Sequence, residues 1–151
     1  MAHSSTTSNN IAIQRPPLRY PVSMRETAVV LREARAGALV LSACAIVLAI
    51  LGLTPGLQGI PEVPLLTAAV LVPVGVCGVS GYRAAQRAGR VRAGAVAGAL
   101  AGAAAGGVGG LCYLFFGKSA FNVPAGIVLG LIGGAAIAAV GALFGQRAAR
   151  A

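Results

Sequence analysis

Residues 93–116 read AGAVAGALAGAAAGGVGGLCYLFF, a stretch with no Asp, Glu, Lys, Arg, His or Pro. At about 1.5 Å of rise per residue, a helix of this length crosses the roughly 30 Å hydrocarbon core of a bilayer. Within it, Gly94, Gly98, Gly102, Gly106 and Gly110 recur at every fourth position. That spacing lines them up on one helix face, where the missing side chains let a second backbone approach closely.

Working outward, residues 124–145 form a second stretch of the same kind, with Gly126, Gly130 and Gly134 at the same spacing. Folding the chain back about position 120 sets Gly110 opposite Gly130, Gly106 opposite Gly134, Gly102 opposite Ala138 and Gly98 opposite Ala142. Every pair is small, so an antiparallel glycine zipper is expected, with a right-handed crossing near about −40°. Asn122 is the expected cap of the last helix. Gly117, in the short connection, is expected to tolerate substitution.

Two more apolar runs precede these, at about 36–53 and 64–82, and the Thr54–Pro55–Gly56 segment stops the first. Pro has no N–H and Gly favours a turn, so a helix does not continue through them. Pro73 lies inside the second run and removes the bond to the carbonyl of Ala69, which makes it the expected kink and a candidate hinge. Ser23–Met24–Arg25–Glu26 reads as a capping box that starts the first helix. Residues 1–22, rich in Ser, Thr, Asn and Pro, read as a disordered tail. The fold class expected is therefore all-α, a four-transmembrane-helix bundle over 23–151, with spans at about 36–53, 64–82, 93–116 and 124–145.

Composition agrees. Only 10% of the residues are charged and 57% are apolar, against about 25% charged in a soluble domain. The chain has too little polar surface to face water, so lipid is its solvent. The net charge is +9, and its positions decide what it means. The arginines fall before residue 36, within 83–92, or at Arg147 and Arg150, while Lys118 is the only base near the other ends of the spans. Under the positive-inside rule this places both termini and the connecting loop 83–92 in the cytoplasm. The basic segments are short and the central one has no interleaved aromatics, which argues against nucleic acid as a partner. Arg83, Arg87, Arg90 and Arg92 are instead candidate contacts for anionic lipid, at about 1 kcal/mol per basic residue near the surface. Tyr113, Phe115 and Phe116 form the expected aromatic belt at the outer boundary.

The two halves of the chain resemble each other. Arg35–Ala36–Gly37–Ala38 matches Arg92–Ala93–Gly94–Ala95, and Val63–Pro64 matches Val123–Pro124. Gly81–Tyr82–Arg83–Ala84–Ala85 matches Gly145–Gln146–Arg147–Ala148–Ala149, so the offsets run from 57 to 64. Duplication of one helical hairpin would relate the copies by an axis along the membrane normal.

No catalytic or cofactor motif emerges. His3 is the only histidine, Asp is absent, and Glu26, Glu33 and Glu62 fall on opposite sides of the expected membrane. Met1 and Met24 are the only methionines, which leaves no axial ligand for haem. Cys44, Cys77 and Cys112 sit in three different runs at different expected depths and form no metal-binding pattern. The expectation is a non-enzymatic protein without catalytic, cofactor or metal sites, packed by its glycines. It would be an accessory, scaffold or assembly subunit of a bacterial cytoplasmic membrane, or less favourably of an organelle inner membrane. Its expected partners are lipid and either another membrane protein or a second copy of itself. The alternative is a small channel or transporter built from two helical hairpins.

Overall fold

The computed structural model describes residues 22–53 and 62–149, which form four helices: α1 (Val22–Leu53), α2 (Glu62–Ala88), α3 (Val91–Phe115) and α4 (Asn122–Ala148). The tail before Val22 and the Thr54–Pro55–Gly56 stop lie outside the described residues. Each helix contains a segment long and apolar enough to cross a membrane: Met24–Leu51, Thr67–Ala88, Val91–Phe115 and Asn122–Ala148. The chain is an all-α four-helix bundle and, by length and composition, a multi-pass membrane protein.

Its packing is the reverse of a water-soluble bundle. The buried positions are mostly alanine, including Ala84, Ala85, Ala97, Ala101, Ala138 and Ala142, whereas Leu39, Leu129 and Phe115 are 74%, 71% and 88% exposed. Lipid tails are as apolar as leucine, so burying large side chains adds little in a bilayer. Helices there gain from close backbone approach, which small residues allow.

The turns follow from glycine chemistry. Between α2 and α3, the segment expected to be a loop at 83–92 is almost entirely helical, since α2 runs to Ala88 and α3 starts at Val91. Ala84 and Ala85 continue the helix easily, and the reversal occupies only Gly89 and Arg90. Gly89 takes φ +70°, and its N–H donates to the Ala85 carbonyl at 2.7 Å, a left-handed helix cap. Between α3 and α4, Gly117 takes φ +74°. Its N–H donates to Leu114 O at 3.0 Å while Lys118 N–H donates to Tyr113 O at 3.1 Å, the paired bonds of a Schellman cap. Gly117 is therefore not the tolerant loop position expected, because a side chain there is strained by about 1–2 kcal/mol. Asn122 is not a cap either: it is the first residue of α4, after Phe121, and no side chain caps that end. α1 begins at Val22, within a residue of the expected start. The Glu26 carboxylate that was to close the capping box accepts a bond from Arg90, and the Ser23 side chain of that box lies outside the described residues.

α1 and α3 run parallel, with Gly37 beside Ala101 and Ala45 beside Gly109. α2 and α4 also run parallel, with Gly78 beside Gly141 and Tyr82 beside Gly145. The two hairpins therefore share one sense. They are not related by the expected axis along the membrane normal. Such an axis would pack α1 against α4 as α3 packs against α2, and no comparable packing joins α1 to α4 among the described residues. The hairpins lie side by side, with α2 and α3 across the middle.

The α1–α3 register can be checked directly. A Cβ at Gly109 would lie 3.9 Å from that of Ala45, close to the roughly 3.8 Å mean of disulfides. With Cys44, Cys77 and Cys112 replaced by Ala, Ala45→Cys with Gly109→Cys should form a disulfide within one chain on mild oxidation. Non-reducing gels that show only linked dimers, or no link, would contradict this register.

Candidate functional site

α4 is held on two sides by backbone contact. Toward α3, a Cβ on Gly106 would fall on the carbonyl oxygen of Gly126, one on Gly102 on that of Gly130, and one on Gly98 at 2.5 Å from that of Gly134. Gly110 meets Asn122 O at 2.6 Å in the same way. Toward α2, Gly141 faces the Gly78 carbonyl, Gly145 that of Tyr82, and Gly81 that of Ala138. Gly94 turns to α2 as well, where its Cβ would lie 2.5 Å from Gly81 O.

The glycine rows of α3 and α4 thus face one another, but the register differs from folding about position 120. The observed pairs are Gly106 with Gly126, Gly102 with Gly130 and Gly98 with Gly134. A row that repeats every four residues can slide by whole turns and still oppose small to small. The observed alignment opposes glycine to glycine three times, whereas the expected one does so twice. Gly126, left without a partner in the expected alignment, acquires one here.

Between the helices lies an apolar cavity of about 340 Å³, walled by all four. Pro73 and Cys77 of α2 face it, as do Leu41 and Cys44 of α1, Gly106 of α3, and Gly130 and Gly133 of α4. α2 runs without interruption through Pro73, so the candidate hinge is a wall of this space. Cys44 and Cys77 were expected at different depths, yet both line the same cavity. The way neighbouring helices pack, which spacing alone does not reveal, puts both on its wall. No cluster of three metal-ligating side chains occurs among the described residues.

The end of the bundle at the α2–α3 turn carries the polar structure. Glu33, buried on α1, pairs with Arg87 of α2, and Glu26 pairs with Arg90 at 3.1 Å. Gln146 Nε2 donates to Gly89 O at 3.2 Å, which ties α4 to the same turn. Of the four arginines read as lipid contacts, Arg87 and Arg90 are thus engaged within the chain. Arg83 and Arg92 are exposed and have no carboxylate partner among the described residues. The signal for this cluster was in the sequence: Glu26 and Glu33 are seven residues apart and share a helix face, and Arg87 and Arg90 lie three apart on either side of Gly89.

These features define a small polytopic α-helical membrane protein with a backbone-packed interior and an ion-paired end at the α2–α3 turn. Compared with known proteins, the chain matches no family model, no curated protein and no solved structure.

Proposed function

We propose that the chain is a non-enzymatic structural subunit of a bacterial cytoplasmic membrane, with both termini cytoplasmic, acting as an accessory or scaffold for another membrane protein or for a second copy of itself. One observation carries this reading: α4 is in backbone contact with α3 on one side and with α2 on the other. A helix held in this way, a glycine zipper on two faces, has little freedom to slide or tilt, and packed interfaces of this kind deform poorly. That favours a fixed shape over alternating access. The glycine rows are engaged within the chain, so a partner would meet the outward faces, where Leu39, Val47 and Leu71 stand exposed.

A second reading, a small channel or transporter, draws on the four-helix cavity with Pro73 in its wall. Backbone carbonyls beside glycine can line a path without charged side chains. The readings separate in one comparison. Affinity purification in mild detergent followed by mass spectrometry should return one stoichiometric membrane partner or a defined oligomer, and liposomes containing the protein should show no added flux of ions or small solutes. Flux that Gly133→Trp abolishes, without loss of folding, would replace the structural reading with the transport one.

A further inference from the structure

Among the exposed arginines, Arg92 stands at the head of a groove between α1 and α3. The groove encloses about 330 Å³, and below Arg92 its walls are apolar, formed by Val30 and Leu31 of α1 and Val96 and Leu100 of α3. Glu26 is the acid beside it, and Arg90 already occupies that carboxylate. From Arg92 to Leu100 the helix descends about 12 Å, to the level where the charge-free run of α1 begins after Arg35, because Gly37 lies beside Ala101. A cation with no carboxylate partner among the described residues, above an apolar trough that leads down to those charge-free runs, matches an amphiphile with an anionic head and an aliphatic chain.

We propose that this groove is a binding site for one anionic phospholipid, with the headgroup phosphate on Arg92 and an acyl chain along Val96 and Leu100. The charge complementarity is local. Arg87 and Arg90 neutralise Glu33 and Glu26, and Arg25, Arg32 and Arg35 are exposed outside the groove's lining, so Arg92 is the cation in this groove that has no carboxylate partner among the described residues. Arg83 overlooks a different groove, whose walls include the buried Glu33 and Ser80. A phosphate beside Arg83 would lie against the buried Glu33 carboxylate as well as the apolar Val40, Val76 and Val79 of that groove. The inference is independent of whether the protein is a scaffold or a transporter.

The test uses the full chain in mild detergent, stripped of lipid and titrated with phosphatidylglycerol or with phosphatidylcholine of the same acyl chains, with bound lipid counted by native mass spectrometry. One phosphatidylglycerol should bind in preference to phosphatidylcholine. Arg92→Gln should weaken it roughly five-fold, the equivalent of about 1 kcal/mol for a basic residue near the surface. Arg83→Gln removes the same charge and should leave binding unchanged. Val96→Trp adds no charge, projects from a half-exposed position and should displace the lipid by filling the groove. Equal losses from Arg92→Gln and Arg83→Gln would overturn the site in favour of a diffuse basic surface. Equal binding of the two lipids would overturn the headgroup contact. Lipid binding that survives both Arg92→Gln and Val96→Trp, with a dimer lost in Val96→Trp, would give the groove to a second copy of the chain.

Discussion

Gly106→Leu should lower the thermal stability of the detergent-solubilised protein sharply, and Gly133→Leu should leave it nearly unchanged. The two glycines are both on the wall of the central cavity, but their surroundings differ. A Cβ at Gly106 would fall on the Gly126 carbonyl oxygen, a rigid group in the middle of α4, whereas a Cβ at Gly133 meets nothing within 4 Å. Overpacking typically destabilises by about 1–3 kcal/mol. Backbone cannot rotate away as a side chain can, so Gly106→Leu belongs at the upper end of that range or separates α3 from α4 altogether. Circular dichroism against temperature, with size-exclusion chromatography to detect aggregation, reads the difference. Equal midpoints for the two variants would mean that the glycine faces do not hold the helices together.

Arg87→Leu should be more damaging than the double change Glu33→Leu with Arg87→Leu. Glu33 is only 6% exposed, and Arg87 is its partner. Removing the arginine alone leaves a buried carboxylate without its counter-charge, a loss of about 1–3 kcal/mol. Arg87 itself is half exposed, so water screens the pair and holds the loss toward the lower part of that range. Removing both charges also removes the desolvation penalty, and such replacements are often close to neutral. The Glu26–Arg90 pair is more exposed, so Arg90→Leu should shift stability by less than about 1 kcal/mol. A double variant no more stable than Arg87→Leu would mean that the pair does not act as a unit.

Much of the fold was legible because a bilayer constrains sequence more tightly than water does. Runs of apolar residues free of charge, such as 93–116, admit few structures, since backbone groups in lipid must be satisfied within the helix. The small-residue faces were legible too, because Gly94 through Gly110 keep one spacing. Register was harder. A four-residue repeat is degenerate, and the Gly106–Gly126 pairing differs from Gly106–Gly134 by a slide that leaves small residues opposed. Lateral arrangement was harder still: nothing local in the chain sets α1 on the far side from α4, or brings Cys44 and Cys77 to one cavity. Around the α2–α3 turn and the start of α1 the residues were read singly, as topology signals and a capping box. Their pairing depends on how far α1 and α2 extend beyond the apolar runs, and Ala84 and Ala85 carry α2 a turn and a half further than the charge boundary at Arg83 suggests.

Two hairpins of one sense, each crossing the bilayer twice, require alternating sides for successive turns. Topology reporters fused after Gln58, Gly89, Ser119 and Ala151 test this most directly. Outside signals at Gln58 and Ser119, with cytoplasmic signals at Gly89 and Ala151, are the expected pattern. Cytoplasmic signals at both Gln58 and Gly89 would contradict it, because α2, which separates them, could not then span the membrane.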